Sequence, residues 1–434
     1  LTSYVLTGYI RNGPAAVQRQ EAIQQNAYQR SLEEGVEPPQ LTTQSVKFWS
    51  DFNRIYFHPR SIVQLNEYDL NSRLMPFENW DVGKELFDSL DKEHEILDRD
   101  LRFFAEEADH MQGIQLISGI DDAWGGFASS YMDRLRDEYG KTTIWCWGLE
   151  DGSEGVPRFL KQSNAARCLS EISQHASLFV PITLPPKLPN YVLLDPRSQW
   201  HVSGLLSTAF ESMTLPSRLR AREGFRQTLD GLGNTLNVNG NQNIAKLRMS
   251  IEKDSLSLTN GHSHSNGSGA DAGATNTSVH NHDDRMRDAG IQEDHEPEDP
   301  RVFDMEFFPV SSPSRYAFKR THVFGQAENY RGNEHEQNTQ ASDVDEGLER
   351  ARRRAAGDPM ISSFPHIYAV ASEGIAVDCS LTTDTSVSYR IKNLQTVVNR
   401  AIGIDEREAL SNSLGVLAEA YEEGWDSGSD SDDD

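Results

Sequence analysis

The feature that most restricts the fold of this chain is a pair of apolar segments separated by a short turn and an amphipathic stretch. The first segment is "QGIQLIS" at 112–118, and the second is "TTIWCWG" at 142–148. Residues 126–139 between them have the apolar spacing of a helix. A strand, a helix and a strand at this spacing predict a parallel β-α-β unit, which is typical of α/β proteins.

The turn after the first predicted strand is "GIDDAWGG" at 119–126, termed the glycine turn. Parallel sheets commonly bind ligands at such turns. Backbone N–H groups and the helix dipole attract anions there, and Gly125 and Gly126 would let a phosphate approach the backbone. Asp121 and Asp122 oppose this use, because two carboxylates repel a phosphate unless a cation lies between them. The glycine turn therefore has the backbone pattern of a phosphate loop, but its two acidic side chains would repel a phosphate.

Two interpretations of the acidic pair stay open. In the first, Asp121 is the N-cap of the helix and Asp122 lies in a solvated turn. In the second, Asp121 and Asp122 bridge a Mg²⁺ ion, which prefers carboxylate oxygens. We prefer the first, because capping is an ordinary role for an aspartate placed directly before a helix.

Composition narrows the classes of function. A length of 434 residues suggests two domains. A net charge of −26 argues against direct binding of nucleic acid, which needs a basic surface. The three cysteines, Cys146, Cys168 and Cys379, have neither zinc-site spacing nor a disulfide framework, as expected in a reducing compartment. No apolar stretch approaches the roughly 20 residues that cross a bilayer.

Periodicity predicts several further elements. Residues 82–108 are expected to form one long helix whose apolar positions recur every three or four residues. His94 lies in that stripe and is interpreted as a packed histidine rather than a metal ligand, since no second histidine follows at the required spacing. Strands are expected at 61–65, 244–251, 302–308 and 385–391, and two helices close the fold.

Residues 108–140, "ADHMQGIQLISGIDDAWGGFASSYMDRLRDEYG", carry a specific resemblance. In tubulins the corresponding segment runs from a Gln-Gly-Phe-Gln strand, through a Gly-Gly-Gly-Thr-Gly-Ser-Gly loop, to a helix that ends in Arg-Glu-Glu-Tyr. The wording is closer still to the Misato family, divergent tubulin relatives associated with mitochondrial inheritance. "FWSDF" at 48–52 and "WHVSGLLSTAFESMTLPSRLR" at 200–220 are also similar to that family.

This resemblance implies a tubulin-like fold but argues against tubulin chemistry. Only Gly125 and Gly126 remain of the phosphate loop. Trp200 stands where an asparagine of the core helix contacts guanine in tubulins, and Asn164 corresponds loosely to a second guanine contact. "TLDGLG" at 228–233 resembles the segment that completes hydrolysis in tubulins, but it has glycine in place of the final acid that would polarise water.

The domain organisation combines the resemblance with local composition. Two polar inserts in the second half, residues 252–300 and 331–358, are predicted to be disordered, because they cannot bury enough apolar surface to order themselves. We expect an N-terminal extension at 1–45 that is truncated or irregular, a tubulin nucleotide-binding-like domain at 46–240, a smaller α+β tubulin-like domain at 241–424 with inserts at 252–300 and 331–358, and an acidic tail at 425–434.

Two functions are expected from the resemblance. The preferred one is a non-enzymatic tubulin-like protein, without a cofactor, that helps to partition mitochondria and mitochondrial DNA. It would act at the cytosolic side of the mitochondrion through cytoskeletal, chaperone or mitochondrial-surface protein partners. The alternative is a filament-forming GTPase, in which Gly125, Gly126 and Asn164 would contact bound GTP.

Overall fold

The structure is a computed structural model that describes residues 24–63, 68, 74–151, 158–219, 227–251, 303–309, 321–331, 363–369, 375–401 and 403–422. The helices in these ranges are α1 (Ala27–Glu34), α2 (Trp80–His94), α3 (Phe103–Glu107), α4 (Ala123–Glu138), α5 (Arg158–His175), α6 (Gln199–Arg218), α7 (Leu229–Leu236), α8 (Ser386–Ala401) and α9 (Ile404–Glu419). The strands are β1 (Ile114–Gly119), β2 (Ile144–Glu150), β3 (Leu178–Thr183), β4 (Lys246–Ile251), β5 (Met305–Glu306), β6 (Val323–Arg331) and β7 (Val377–Asp384).

The first sheet is parallel, as predicted, with the strand order β1-β2-β3. Its register pairs Ile114 with Ile144 and Trp145 with Leu178. β2 and β3 are buried along most of their length, which is the pattern of parallel strands covered by helices. α4 connects β1 to β2, so the glycine turn lies at the carboxyl end of β1.

The second sheet is antiparallel, with the order β5-β4-β7-β6. The strand predicted at 244–251 is confirmed as β4, and its alternating apolar positions are all buried: Ala245, Leu247, Met249 and Ile251. An isolated parallel bridge from Phe179 of β3 to Ile244 connects the two sheets. The chain is thus an α/β unit followed by a smaller α+β unit, which is the predicted fold class.

The long helix predicted at 82–108 is wrong as a single element. α2 ends where Glu95 adopts a left-handed backbone conformation with φ of 48°, and a π-helical segment, Leu97–Arg102, separates it from α3. The Asp91 carboxylate accepts the N–H of Ile96 at 3.2 Å, which satisfies the backbone at the break. Ile96 and Leu97, which directly follow the break, are both buried.

The strand predicted at 385–391 is also wrong, because the strand is β7 and these residues begin α8. The Asp384 carboxylate accepts the N–H of Ser386 at 2.8 Å and so favours a helix start at this point. The apolar residues that suggested alternation also fit helical spacing, and the apolar residues buried in α8 are Val387, Ile391, Leu394, Val397 and Val398. α8 and α9 are the two predicted closing helices.

At 61–65, the described residues Ser61 to Val63 form no strand, and Ile62 and Val63 are exposed. Residues 64 and 65 lie outside the described ranges, as do the insert 252–300, most of the insert 331–358 and the tail 425–434. Of the extension 1–45, residues 24–45 are described, and they include α1.

The structure also describes the three cysteines, which were expected to form neither a zinc site nor a disulfide framework. All three cysteines are free and buried, and burial raises the pKa of Cys146 to about 12. A thiol in that state is a poor nucleophile and metal ligand.

Among the described helices, none has the length and apolarity needed to cross a membrane.

Candidate functional site

Asp122 caps α4. Its Oδ1 accepts a hydrogen bond from the backbone N–H of Trp124 at 2.9 Å, and the helix begins at Ala123. The prediction that Asp121 is the cap and Asp122 lies in a solvated turn is therefore wrong, because the helix starts immediately after Asp122 and burial raises the pKa of its carboxyl. The N-terminus of α4 does attract an anion, but that anion is a carboxylate of the chain itself.

Asp121 lies behind the turn and is only 6 % exposed. Its Oδ2 accepts the backbone N–H of Asp151 at 3.0 Å, so the carboxyl ties the glycine turn to the loop after β2. Burial raises the pKa of Asp121 to about 7, and the negative charges of Glu150 and Asp122 act in the same direction. Near neutral pH this group therefore holds a proton for part of the time.

The two aspartates accept hydrogen bonds from different backbone N–H groups. The described residues contain no group of three or more His, Cys, Asp or Glu side chains arranged for a metal. His94, the other metal candidate considered from the sequence, is half-buried at the end of α2. Its Nε2 lies 3.9 Å from Oε2 of the neighbouring Glu93. The Mg²⁺ interpretation of Asp121 and Asp122 gains no support from this geometry.

Basic groups at this end of the sheet are bound to carboxylates of the chain. Nη2 of Arg390 in α8 lies 2.7 and 2.9 Å from the carboxylate oxygens of Glu150, at the end of β2. Nζ of Lys161 in α5 lies 3.3 Å from Oδ2 of Asp151. Both cations compensate acidic residues of the chain, so neither is set up to meet a phosphate.

Asn164, the loose counterpart of a guanine contact, is fully buried in α5. Its Nδ2 donates to the carbonyl oxygens of Glu78 at 2.8 Å and of Asp121 at 3.0 Å. Its Oδ1 accepts the N–H of Trp80 at 3.3 Å. The amide is thus engaged at both ends, and it joins the start of α2, the glycine turn and α5.

The glycines of the turn permit close packing of helices. A Cβ atom on Gly126 would lie 1.9 Å from the carbonyl oxygen of Trp80, and one on Gly83 of α2 would lie 1.6 Å from that of Ala123. A Cβ atom on Gly125 would lie 2.4 Å from Sγ of Cys168 in α5. Among the described residues, positive φ is confined to other positions, so Gly125 and Gly126 are required for close approach rather than for an unusual φ.

Aromatic rings pack against one another beside the first turns of α4. Trp124 contacts Phe77 edge-on, with ring centroids 5.1 Å apart, and it also contacts Phe127 at 5.7 Å. Phe127 in turn contacts Phe87 of α2 at 5.3 Å. The space above the helix start, where a phosphate loop would receive its ligand, is bordered by these side chains.

The remaining tubulin-like positions have structural contacts as well. Trp200 is buried, and its indole N–H donates to the carbonyl oxygen of Ser363 at 3.2 Å. Residues 228–233 form the N-cap and first turns of α7. There Oδ1 of Asp230 accepts the hydroxyl of Thr143 at 3.1 Å, which anchors α7 to the residue before β2.

Sequence reasoning missed the partners of the glycine turn. Trp80, Phe77 and Arg390 carry no motif, and they reach the turn only through the tertiary fold. Gly83 offered a signal, since a glycine inside a helical pattern lowers helix stability by about 1 kcal/mol and often marks a close contact.

Comparisons with known proteins agree with this architecture. The tubulin domain family matches residues 38–219, which include the first sheet and the glycine turn. This match makes the chain a tubulin-domain protein over its parallel sheet and glycine turn, and the antiparallel sheet lies beyond the matched residues. In this chain the helix start that follows the turn is capped by Asp122.

Curated relatives define the family more closely. Protein dml-1 of Neurospora crassa is 43% identical over 98% of this chain and 83% of its own length. Protein DML1 of Coccidioides immitis is 41% identical over 98% of this chain and 82% of its own length. Protein DML1 of Yarrowia lipolytica is 25% identical over 96% and 79%, respectively. The chain belongs to the DML1 (Misato) family of tubulin-like proteins.

Proposed function

We propose that this chain is a non-enzymatic tubulin-like protein that takes part in the partitioning of mitochondria and the inheritance of mitochondrial DNA. It acts at the mitochondrion, on its cytosolic side, through protein partners. The mitochondrial role follows from the resemblance to the Misato family. The loss of nucleotide chemistry is argued from the glycine turn.

The observation that carries the proposal is the N–H of Trp124, which Asp122 caps at 2.9 Å. A helix N-terminus binds phosphate through such free N–H groups, and here a carboxylate already occupies one of them. The backbone of α2 lies directly against Gly126, so the turn serves to pack two helices. A GTP phosphate would have to displace the half-buried carboxylate of Asp122 and approach a second acidic side chain, that of Asp121.

GTP titration by calorimetry tests the non-enzymatic part. We expect neither stoichiometric binding at micromolar nucleotide nor release of inorganic phosphate, with or without Mg²⁺. A double variant, Asp121→Gly with Asp122→Gly, separates the two interpretations of the acidic pair. Stoichiometric GTP binding by the wild type that this variant loses would establish a metal-bridged site and overturn the proposal.

Controlled depletion in the cell of origin tests the mitochondrial part. We expect mitochondrial DNA per cell to fall, and daughter cells to receive unequal mitochondria, before growth slows. Protease protection of isolated mitochondria should show the chain accessible from outside. Normal mitochondrial DNA and normal segregation after depletion would contradict this role even if GTP binding is absent.

A further inference from the structure

Residues 46–63, termed the aromatic strap, expose an unusual number of large apolar side chains. Tyr56 is 84 % and Ile55 66 % exposed, and these two values are typical of side chains that project from a surface. Five more large apolar residues of the strap are also exposed: Phe48, Trp49, Phe57, Ile62 and Val63. Clusters of this kind on a protein surface mark sites of interaction.

The strap is basic, although the chain as a whole carries a net charge of −26. Its basic residues, Lys47, Arg54 and Arg60, all have exposed side chains. Its one acidic residue, Asp51, is only 8 % exposed, and Oδ2 of Asp51 accepts the backbone N–H groups of Lys47 and Phe48. Three cations thus accompany the apolar side chains, and the one carboxylate among them is turned inward.

The backbone of the strap is held in place from behind. Gln29 of α1 is buried, and its Nε2 lies 2.9 Å from the carbonyl oxygen of Ser50 and 2.7 Å from that of Asn53. Nδ2 of Asn26 donates to the carbonyl oxygen of Asp51 at 3.1 Å. Phe52 faces the other way, with its ring 6.2 Å from that of Trp200 in α6. These hydrogen bonds and the Phe52 ring contact therefore hold the strap backbone in place, while its apolar side chains remain exposed.

We propose that the aromatic strap binds the surface of an anionic lipid bilayer. Trp49 and Tyr56 have the amphipathic rings that favour the headgroup region, and Ile55 and Phe57 have the apolar surface that enters the acyl boundary. Lys47, Arg54 and Arg60 complement acidic headgroups, and each such cation adds to the attraction.

The bilayer is the favoured occupant because of charge. A second copy of this acidic chain would bring acidic groups to the cations, but it would also bring two strongly negative molecules together. A bilayer offers acidic headgroups and an apolar layer at once, and the strap has groups for both. This proposal rests on the function proposed above only for the choice of membrane, which would be the mitochondrial surface.

Vesicle co-sedimentation of the full chain tests the proposal. One set of vesicles contains phosphatidylcholine and phosphatidylserine in equal amounts, and the other contains phosphatidylcholine alone. We expect binding to the anionic vesicles to be about tenfold stronger, and to weaken as salt is raised. The double variant Ile55→Ser with Tyr56→Ser should lower binding to anionic vesicles by about tenfold, because it removes apolar surface that enters the bilayer. Lys47→Glu should lower it by several-fold.

The matched control is Leu193→Ser with Val416→Ser, which replaces side chains that are 57 % and 69 % exposed elsewhere on the molecule. Its binding should equal that of the wild type. Absence of wild-type binding, or an equal loss in both double variants, would overturn the proposal. So would a change of the strap variant from dimer to monomer in sedimentation velocity, since the strap would then join two copies. None of these results depends on GTP binding or on mitochondrial DNA, so the proposed function stands or falls separately.

Discussion

The glycine turn and the aromatic strap are both held by a buried amide, but they are used in opposite ways. Asn164 contacts the backbone of Glu78, Trp80 and Asp121, and it fixes the turn between two helices. Gln29 contacts the backbone of the strap at Ser50 and Asn53, and it leaves the neighbouring apolar side chains in solvent. The Asn164 amide joins helices within the core, whereas the Gln29 amide holds the backbone of a segment whose apolar side chains are exposed.

This difference bears on where function lies in this tubulin-like fold, whose glycine turn keeps only Gly125 and Gly126 of the phosphate-loop glycines. The glycine turn keeps the shape of a ligand site, but the N–H groups of Trp124 and Gly125 and both aspartates form hydrogen bonds within the chain, and Gly125 and Gly126 pack against neighbouring atoms of the fold. The strap matches no catalytic motif, yet it carries exposed aromatic and basic groups. Changes in the turn should therefore affect stability, and changes in the strap should affect binding.

Gly126→Val should have the largest effect on stability. A side chain there would meet the carbonyl oxygen of Trp80, which lies 1.9 Å from the Cβ position, and neither helix backbone can move away easily. We expect the free energy of unfolding to fall by about 3 kcal/mol or more, as in severe overpacking. Urea unfolding measures this loss, and reduced abundance in the cell should accompany it.

Two controls sharpen this result. Gly140→Val follows the end of the same helix, where a Cβ atom would lie 3.6 Å from the nearest carbonyl oxygen, that of Arg136. Tyr56→Ser changes an exposed residue of the strap. Both should alter the free energy of unfolding by about 0.5 kcal/mol or less. If Gly126→Val keeps normal stability and abundance but abolishes function, the turn is a functional site and the interpretation that it serves only packing is wrong.

Asn164→Leu compares the two amides directly. The apolar side chain leaves the N–H of Trp80 and the carbonyl oxygens of Glu78 and Asp121 without their partner in a buried place. We expect a loss of about 2 to 3 kcal/mol in the free energy of unfolding. Gln29→Leu should cost about 1 kcal/mol, because water can reach the carbonyl oxygens of the half-exposed strap. Equal losses in the two variants would break the comparison.

Asp121→Asn should have an effect that depends on pH. The folded state raises the pKa of Asp121 from 3.8 to about 7, so between these values the unfolded chain releases its proton first. The free energy of unfolding therefore falls as the pH rises through this window, and it levels off above about pH 7. Asparagine removes this effect and still accepts the N–H of Asp151.

We expect the stability gained by Asp121→Asn over the wild type to be about 2 kcal/mol larger at about pH 8 than at about pH 5. Urea unfolding at both pH values measures the gain. Asp137→Asn, on the exposed side of α4, is the matched control. A gain that is the same at both pH values would show that burial does not govern the charge of Asp121.

Much of the fold could be predicted from local sequence. The apolar segments at 112–118 and 142–148 indicated two parallel strands, and both are present as β1 and β2. Errors arose where one pattern fits two structures. Val387 and Ile391 suit both alternation and a helical face, and the cap from Asp384 favoured the helix. At Glu95 the periodicity continues, but the backbone turns left-handed and ends α2.

The sequence by itself determined that the glycine turn follows a buried strand, carries two acidic residues and lacks most phosphate-loop glycines. These are properties of neighbouring residues, and side-chain chemistry and periodicity record them directly. Only the tertiary structure decided that Asp122 rather than Asp121 caps α4, that Asn164 bridges backbone groups, and that the strap faces solvent. Asn164 and Glu78 are 86 residues apart, and a contact at that separation forms only when the fold brings two helices together.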